Sequence, residues 1–508
     1  MEAISRKLIE EKGKSLLNLP VGPIDKYPEK VLQFGEGNFL RGFVDWMINS
    51  LNSKGLFNGN VAVVQPIRNG SIDIINQQEG VYTLILRGVQ NGKLINSKEV
   101  ITSISRGINM YTQYQEYISL AESPELRFII SNTTEAGIAY SQEDRFEDEP
   151  PASYPGKLTV LLYRRFKAFF PQKNKGLIII PCELIDRNGD NLKRIVLQLA
   201  EEWSLGSDFI KWLKEENYFL NTLVDRIVTG YPKEEVQSLE EELGYKDGLL
   251  DTGEIFHLWV IEGDSRLAAE IPFSKAGLNV IWTDNMKPYR DRKVRILNGA
   301  HTMTVLAACL YGLETVKECM DDRLISTYMR KGIFDEIIPT LDLEEDQLIR
   351  FAQEVLERFS NPFIKHYLLS ISLNSVSKFK ARVLPSLLEY LNRKEKLPEI
   401  LTFSLASLIA FYKGKEIKGN YLSGERNGVE YKICDDMPIL EAFCKCWKNF
   451  DGTKAGSDAV AQNILSRADW WGSELNEIKG LTKQVSEYLF DINTNGMEAA
   501  LKKVVMEG

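Results

Sequence analysis

The first half of the chain alternates short apolar runs with helical patterns. Aliphatic and β-branched residues are concentrated at 30–37, 59–67, 127–134 and 176–184, where they are consecutive rather than alternating. Consecutive apolar residues are typical of strands in a parallel sheet that is covered on both faces. Helical patterns such as 43–55 lie between these runs, so the sequence predicts a doubly wound, Rossmann-like α/β domain.

The pattern changes near residue 285. Strand-like runs become rare beyond this point, and Pro288 suits the first turn of a new helix. We therefore expect an α/β domain over residues 1–284 and a mainly helical domain over residues 285–508. The helical patterns of the second half cover 289–311, 344–359, 363–376, 381–392 and 399–413.

Composition narrows the possible partners. A chain of 508 residues fits two or three domains. A net charge of -9 disfavours binding to nucleic acid, which needs a basic surface. No apolar run has the roughly 18 residues of a membrane span, and the charged first segment lacks a signal-peptide core. A cytoplasmic protein that acts on a small molecule is expected, whereas the sequence leaves the oligomeric state open.

Cysteine and histidine usage argues against a metal site. The six cysteines are scattered, and the closest pair has the spacing C-K-C, which matches neither zinc knuckles nor a disulfide framework. Three histidines in the whole chain are too few for a histidine-rich site. The sequence therefore predicts no metal, and His257 within an apolar run is expected to be structural.

A glycine turn follows the first predicted strand. The stretch "VLQFGEGNFLRGF" at 31–43 gives a strand, then Gly35-x-Gly37, then a helical pattern. In dinucleotide-binding folds such glycines let the backbone approach a pyrophosphate at a helix N-terminus. The third glycine of the usual pattern is replaced by Leu40, and a plain strand-turn-helix is the alternative. The residues expected to bind the cofactor, NAD, are Phe34, Gly35, Glu36, Gly37, Asn38, Phe39, Leu40 and Arg41.

The end of the second predicted strand leaves the choice between NAD and NADP open. An acid that would accept the ribose hydroxyls is missing there, and the sequence has Gln65 and Arg68 instead. An arginine at this place is able to pair with a 2′-phosphate.

The stretch "KVRILNGAHT" at 293–302 places three polar groups in an apolar helical pattern. At about 100° per residue, Lys293, Asn298 and His301 lie at about 0°, 140° and 80°, on one side of an α-helix. Burial would lower the pKa of the lysine and suit it to proton transfer, while the amide and imidazole would hold a carbonyl and a hydroxyl. The alternative is a surface lysine, a tolerated asparagine and a core histidine.

These residues resemble a known family. K-x4-N-x2-H after a "PY" helix start, together with Gly35-x-Gly37-x-Phe39-x-Arg41, is similar to the long-chain mannitol dehydrogenase family of polyol and sugar-acid dehydrogenases. The similarity continues in order along the chain through "TEAG" at 134–137, "LVDRIVTGYP" at 223–232, "EIFHLWVIEG" at 254–263 and "RFSNPFIKH…SKFKARVLP" at 358–385.

The resemblance implies NADH-dependent reduction of a ketone, here of D-tagaturonate to D-altronate in the bacterial breakdown of galacturonate. Lys293 would be the general acid in reduction and the base in oxidation. Asn298 would polarise the carbonyl, and His301 would orient the substrate. Lys378 matches a lysine of the family's substrate pocket.

Several positions depart from the polyol members of the family. Leu184 and Ser370 stand where an asparagine and an arginine are expected, and Arg290 stands where an acid is often found. These changes disfavour mannitol and fit a polyhydroxy acid, whose carboxylate needs cations or hydrogen-bond donors. The candidates for that role are Lys365, His366, Lys378 and Arg382, of which Lys365 and Arg382 are alternatively solvated helix charges.

Two other functions stay open. One is a related dehydrogenase that acts on fructuronate or on mannitol. The other is a nucleotide-sensing protein that binds a cofactor without chemistry, although the presence of Lys293 disfavours it.

Overall fold

The computed structural model describes residues 1–13, 19–134 and 136–507. The chain forms two compact units. The first consists of Met1–Gly88 and Leu94–Met286, and the second consists of Val89–Lys93 and Lys287–Gly508.

A six-stranded parallel sheet forms the centre of the first unit. Its strands lie in the order β5 (Ile104–Asn109), β2 (Asn60–Gln65), β1 (Glu29–Phe34), β6 (Phe128–Ser131), β7 (Ile178–Pro181) and β8 (Tyr218–Phe219). This is the strand order of a Rossmann domain, in which the order reverses between β1 and β6. The expected α/β fold is therefore confirmed. The remaining strands up to residue 286 belong to two smaller sheets and are β3 (Tyr82–Gln90), β4 (Lys93–Ile101), β9 (Asn221–Asp225), β10 (Asp251–Glu254), β11 (Leu258–Glu262) and β12 (Val280–Thr283).

Both faces of the parallel sheet are buried. Val31 and Val63 belong to one core cluster, and Leu32 and Val64 belong to the other. Neighbouring residues of a strand point to opposite faces, so a sheet covered twice needs consecutive apolar residues. This is why the four apolar runs of the sequence correspond to β1, β2, β6 and β7.

Several strands of the first unit were not predicted from the sequence. The edge strand β5 reads "ISRGIN", and its Ser105 and Arg106 bond to the carboxylate of Glu29. Two small sheets, β10-β3-β4 and β12-β11-β9, were also not predicted. An edge strand tolerates polar residues, so the apolar signal is weak in β5. Strands β3 and β11, by contrast, are largely apolar and buried, and they were missed in spite of that pattern.

Helices of the first unit flank these strands. The helical stretch after β1 is continuous from α2 through a π-helical segment, Arg41–Asp45, into α3. The helices are α1 (Arg6–Lys12), α2 (Asn38–Leu40), α3 (Trp46–Ser53), α4 (Ile72–Gln77), α5 (Tyr114–Ser119), α6 (Tyr154–Phe169), α7 (Asn188–Glu202), α8 (Ser207–Glu215) and α9 (Val236–Leu243), with 3-10 turns at Leu120–Glu122, Ser265–Ala269 and Phe273–Ala276.

The second unit is mainly helical, as expected. π-helical segments occur at Lys293–Asn298 and Gly332–Ile337. Its helices are α10 (Lys287–Arg292), α11 (Gly299–Tyr311), α12 (Val316–Asp321), α13 (Arg323–Lys331), α14 (Glu345–Phe359), α15 (Leu368–Ile371), α16 (Ser375–Arg382), α17 (Leu384–Lys394), α18 (Glu399–Phe411), α19 (Met437–Lys448), α20 (Lys454–Leu465), α21 (Ala468–Trp471), α22 (Leu481–Asn495) and α23 (Met497–Glu507), with 3-10 turns at Ile338–Thr340 and Leu475–Glu477.

One expectation for this unit is wrong, and one small sheet was not predicted. The predicted helix 363–376 is divided, because Asn374 has a left-handed backbone (φ 53°) and ends the stretch that contains α15. A three-stranded antiparallel sheet, formed by β13 (Gly414–Lys418), β14 (Tyr421–Arg426) and β15 (Val429–Ile433), lies in the half expected to be helical. Its strands alternate polar and apolar residues and are short, which hides them from a search for apolar runs.

Across the described parts of the chain, none of the helices is long and apolar enough to cross a membrane.

Candidate active site

The glycine turn lies directly after β1, where the strand order of the sheet reverses. Gly35 has φ 113°, a region that side chains rarely adopt. A Cβ at this position would lie 2.9 Å from the backbone oxygen of Asn132, which follows β6. Both the backbone angle and the close approach therefore require glycine at position 35.

Gly37 is different, because it is surrounded by space. It forms the N-cap of the helical stretch that begins with α2, and no side chain caps the helix there. A Cβ at Gly37 would have no neighbour within 4 Å. Uncapped N–H groups at a helix N-terminus attract anions, so this turn fits a cofactor pyrophosphate.

Arg41 stabilises the glycine turn through hydrogen bonds to two of its residues. Its guanidinium is buried and donates to the backbone oxygen of Glu36 and to Oδ1 of Asn38, each at 2.7 Å. The hydroxyl of Tyr82 in turn donates to the Arg41 carbonyl at 2.7 Å. Arg41 therefore holds the loop in shape and is a positioning residue in this structure.

The other residues predicted to bind the cofactor differ in exposure. Phe34 and Leu40 are buried in the core, and Phe39 stacks on Phe43 with 5.1 Å between ring centroids. These three are able to contact a cofactor mainly through their backbone. The carboxyl of Glu36 is also buried, and burial raises its pKa.

A pair of buried acids lies under this turn, and sequence reasoning missed it. Asp45 accepts a hydrogen bond from Gln33 at 3.2 Å, and Gln33 also donates to the Gly35 carbonyl at 3.0 Å. Burial raises the pKa of Asp45 to about 7 and that of Asp251 to about 7. For Asp45, the available signal was its place inside the apolar run of the helix, and Gln33 likewise interrupts the apolar run of the strand.

Glu183, at the end of β7, organises the neighbouring loop. Its buried carboxylate accepts hydrogen bonds from the Thr133 N–H at 3.0 Å, the Thr133 hydroxyl at 2.9 Å and the Ser131 hydroxyl at 3.1 Å. The next residue, Leu184, is 62% exposed. Glu135 of the "TEAG" motif is outside the described residues.

The end of β2 places Arg68 on the surface. The amide of Gln65 donates to the carbonyls of Ile67 at 2.9 Å and Arg68 at 3.1 Å, which shapes the loop. The Arg68 guanidinium lies 5.0 Å from the ring centroid of Tyr111. An exposed cation at this strand end is compatible with either an adenosine ribose or its 2′-phosphate.

In the second unit, a π-helical segment begins at Lys293 and ends at Asn298. His301 follows in the first turn of α11. The predicted angular positions of these three residues around the helix axis therefore change, because the prediction assumed an α-helix throughout. A π-helix bonds residue i to residue i+5, so Lys293 and Asn298 lie nearer to one side than the α-helical phase gives. Both side chains are half-buried. Such π-helical turns occur frequently at functional sites.

His301 lies among aromatic rings. It stacks on Phe359 with 4.1 Å between ring centroids and meets the edge of His366 at 5.0 Å. Its Nε2 is buried and has no hydrogen-bond partner. Burial, and then the charges around it, hold the pKa of His301 well below its ordinary value, so the ring is neutral. A neutral imidazole with an unpartnered buried nitrogen is suited to bind a substrate hydroxyl.

Three of the predicted substrate residues lie in this region. His366 contacts His301 directly, and the charges of Lys378 and Arg382 on α16 act on the His301 ring. The Lys378 ammonium donates to the Ile371 carbonyl at 2.8 Å. Arg358, which sequence reasoning missed, also acts on the ring. Its sequence signal was its place at the start of the "RFSNPFIKH" motif.

Gly299 explains how α16 approaches the Lys–Asn–His segment. A Cβ at Gly299 would lie 3.1 Å from the backbone oxygen of Arg382, a distance that few side chains tolerate. The end of α16 therefore packs closely against the start of α11. By contrast, the side chains of Lys365 and Ser370 are exposed.

His257 has the structural setting that the sequence predicted. Its Nε2 accepts a hydrogen bond from the Asn279 N–H at 3.0 Å, and its ring packs edge-on against Trp46 at 4.9 Å. Burial lowers the pKa of His257 to about 4.

Comparison with known families gives matches over most of the chain. The family model for the mannitol dehydrogenase Rossmann domain matches residues 29–275, and that for the mannitol dehydrogenase C-terminal domain matches residues 285–493. The chain belongs to the mannitol dehydrogenase family. This membership confirms the expectation of an oxidoreductase that acts on CH–OH groups, with a Rossmann domain for NAD.

Curated relatives in this family are closely similar. A protein of Enterobacter sp. (strain 638) named altronate oxidoreductase is 47% identical over 479 residues, which cover 94% of this chain and 97% of the relative. The protein of the same name from Escherichia coli O6:K15:H31 is 48% identical over 481 residues, which cover 94% and 98%. These relatives indicate a polyol or hexuronate dehydrogenase.

Solved structures of the family have the same fold. Pseudomonas fluorescens mannitol 2-dehydrogenase, solved as a ternary complex with NAD and D-mannitol, has a TM-score of 0.68 at 20% identity and covers 100% of both chains. A substrate-free D-sorbitol dehydrogenase has a TM-score of 0.78 at 20% identity, covering 98% of this chain and 100% of its own.

Proposed function

We propose that the protein interconverts D-tagaturonate and D-altronate with NADH and NAD. Residues 1–284 would bind the cofactor, and residues 285–508 would bind the sugar acid. The observation that carries this proposal is the similarity to altronate oxidoreductases over nearly the whole of both chains. The breakdown of galacturonate in the cytoplasm is the metabolic setting that we expect for this reaction.

The chain offers a suitable place for the cofactor. The φ of Gly35, the open space beside Gly37 and the uncapped helix N-terminus fit a pyrophosphate. When bound, NADH supplies a hydride to the ketone carbon, and NAD accepts one in the reverse direction. The loop is held in shape by Arg41, whose guanidinium is already engaged with Glu36 and Asn38.

Lys293 would act as the proton donor in reduction and as the base in oxidation. The proton would pass from the Lys293 ammonium to the ketone oxygen as the hydroxyl forms, and return when altronate is oxidised. Asn298 would donate a hydrogen bond to the same oxygen and stabilise its developing negative charge. Their common π-helical segment supports a joint role.

His301 would orient the substrate by binding one of its hydroxyl groups. Its neutral ring offers an unpartnered Nε2 to a substrate hydroxyl. His366 and Lys378 would bind further oxygens of the substrate, and Arg382 would pair with its carboxylate. The contact of His301 with His366 and the packing of α16 against α11 support this grouping.

A substrate panel tests the proposal. Purified protein is assayed for NADH oxidation with D-tagaturonate, D-fructuronate and D-fructose, and each reaction is repeated with NADPH. We expect the highest kcat/KM with D-tagaturonate and NADH. Faster turnover of D-fructose would contradict the sugar-acid assignment, and faster turnover of D-fructuronate would favour the mannonate-forming reaction. A strong preference for NADPH would indicate that Arg68 binds the 2′-phosphate of the cofactor.

A further inference from the structure

We infer that Glu36 is a specificity-determining residue whose carboxylate binds the adenosine ribose hydroxyls of NAD and disfavours the 2′-phosphate of NADP. This role rests on the proposed function only in that the cofactor binds at the glycine turn. It names the group that decides between the two cofactors, a choice that the end of β2 leaves open because an acid is missing there.

Gln65 occupies the position at the end of β2 where dinucleotide-binding domains usually carry an acid for the ribose. Its amide nitrogen donates to the carbonyls of Ile67 at 2.9 Å and Arg68 at 3.1 Å, and the side chain is buried. A carboxylate at position 65 could not donate these two hydrogen bonds, which hold the loop after β2. Position 65 is therefore committed to shaping this loop, and an acid for the ribose would have to come from another element.

Glu36 supplies such an acid from the glycine turn. It follows Gly35 directly after β1, the strand that pairs with β2 in the parallel sheet. A Cβ at Gly70 would overlap Oε1 of Glu36 and Oε1 of Gln65, so the Glu36 carboxylate lies against the loop after β2. Glycine at position 70 leaves the room that this carboxylate occupies. The acid that is missing from the end of β2 is thus replaced in space by one that follows β1.

The main chain of Glu36 is held by a buried arginine. The Arg41 guanidinium donates to the Glu36 carbonyl and to Oδ1 of Asn38, each at 2.7 Å, and Glu36 is only 8% exposed. Burial raises the pKa of Glu36, while the backbone N–H groups of Glu36 and Ser71 and the charge of Arg41 act in the opposite direction. The turn therefore presents a carboxylate of defined position beside the loop that would surround the ribose.

A carboxylate at this place discriminates between the two cofactors by attraction and by repulsion. Its oxygen atoms accept charge-assisted hydrogen bonds from the ribose hydroxyls of NAD. The 2′-phosphate of NADP replaces one of these donors with a group that carries about two negative charges. The two like-charged groups would repel each other, which lowers the affinity for NADP.

Two cations near the loop favour the opposite choice. The Arg68 guanidinium lies 5.0 Å and the Lys157 ammonium 5.8 Å from the centroid of the Tyr111 ring. Lys157 is buried and donates to the Ala152 carbonyl at 2.6 Å, so its charge is already engaged. Arg68 is exposed, so solvent and salt screen its attraction for a phosphate more than they screen the repulsion from the buried Glu36. We therefore expect the carboxylate to decide the preference.

Cofactor binding in the absence of any sugar substrate tests this role. The dissociation constants of NADH and NADPH are measured by fluorescence titration for the wild type and for Glu36→Gln, which keeps the size of the side chain and removes its charge. We expect the wild type to bind NADH at least about tenfold more tightly than NADPH. Glu36→Gln should weaken NADH binding by about tenfold, the effect of losing one charged hydrogen-bonding partner, and leave NADPH binding equal or tighter. Equal losses for both cofactors, or an unchanged preference, would overturn the role of Glu36.

Asp73→Asn is the matched control. Asp73 is exposed in the first turn of α4, shortly after the loop, so this variant removes one negative charge nearby without changing the turn. Both dissociation constants should change by less than about twofold, because an exposed charge is screened. Glu36→Asp keeps the charge on a shorter side chain and should retain part of the preference for NADH. An effect of Asp73→Asn as large as that of Glu36→Gln would contradict a local role of the carboxylate.

A modified cofactor gives a measurement that does not depend on any variant. The wild type is titrated with a reduced cofactor whose adenosine lacks the 2′-hydroxyl. We expect it to bind about tenfold more weakly than NADH, because a site built to bind a hydroxyl rejects the analogue without it. Equal affinities would overturn the role of Glu36, even where Glu36→Gln folds poorly.

Failure of the proposed function has a different signature. A protein that prefers NADH through Glu36 but does not reduce D-tagaturonate refutes the sugar-acid assignment alone. A protein that reduces D-tagaturonate with NADH, and whose Glu36→Gln variant keeps the wild-type preference, refutes the inference alone. A wild type that prefers NADPH refutes both the choice of NADH and the role of Glu36.

Discussion

At the scale of the residue, a small number of side chains carry the proposed chemistry. Lys293 and Asn298 are set by a π-helical turn, and His301 by its contacts with Phe359 and His366. The sequence spacing identified all three residues as a group. Arg358 begins the motif at 358–385 but was not among the predicted site residues, because an arginine in a helix is usually a solvated charge and only packing shows what it faces.

Replacing Lys293 with alanine tests the proton-transfer step. We expect kcat to fall by about a hundredfold or more, because a general acid–base group of this kind contributes that much to the rate. Binding of NADH, measured by fluorescence titration, should be kept. Lys287→Ala is the control, since Lys287 is an exposed lysine of the preceding helix with a side chain that is 77% exposed. Near-wild-type turnover in the Lys293 variant would contradict the assignment.

At the scale of the element, the strand β1 and the helical stretch after it form the turn that we propose binds the cofactor. The pattern of apolar residues predicted both elements, and the two glycines predicted the turn. The pattern did not predict the π-helical segment Arg41–Asp45 or the buried acids under it. The segment is held by hydrogen bonds from residues far away in the sequence, since the Tyr82 hydroxyl donates to the Arg41 carbonyl and the Arg226 guanidinium donates to the Gly42 carbonyl.

The two glycines of the turn should respond differently to alanine. Gly35→Ala places a side chain at φ 113° and 2.9 Å from a backbone oxygen, so it should lower the free energy of unfolding by roughly 1–3 kcal/mol. Gly37→Ala meets open space at an ordinary φ of -67° and should leave stability nearly unchanged. It should nevertheless weaken NADH binding, because the methyl group occupies the approach to the helix N-terminus. Urea unfolding and NADH titration measure the two effects.

Each variant serves as the control for the other. Equal losses of unfolding free energy in both variants would contradict the difference between a strained Gly35 and an unobstructed Gly37. Unchanged NADH affinity in a well-folded Gly37→Ala protein would contradict the proposal that the cofactor binds at this turn.

At the scale of the whole molecule, the two units have different proposed tasks. A parallel sheet with a glycine turn is a structure for binding a dinucleotide, whereas the helical unit would supply the proposed acid–base and substrate residues. The family models match the two parts of the chain separately, at residues 29–275 and 285–493.

Hydrogen exchange should distinguish the proposed cofactor-binding residues from the proposed substrate-binding residues. NADH alone should protect amides of the glycine turn at 34–41, because bound ligand suppresses local opening. Adding D-altronate to the NADH complex should then protect 293–301 and 358–382. Peptides from α19 and α20 serve as the internal control and should exchange at the same rate throughout. Extra protection confined to residues 29–275 would contradict the substrate assignment.

The sequence alone determined the features that depend on local pattern. Consecutive apolar residues gave the buried strands β1, β2, β6 and β7, since burial on both faces leaves a direct signal in the chain. Glycine spacing located the turn, and the order of motifs gave the family resemblance. The tertiary structure decided what depends on distant contacts: the polar strand β5, the π-helical phase of Lys293–Asn298 and the cations around His301. These features arise from packing between residues that are far apart in sequence, and such contacts leave little periodic signal.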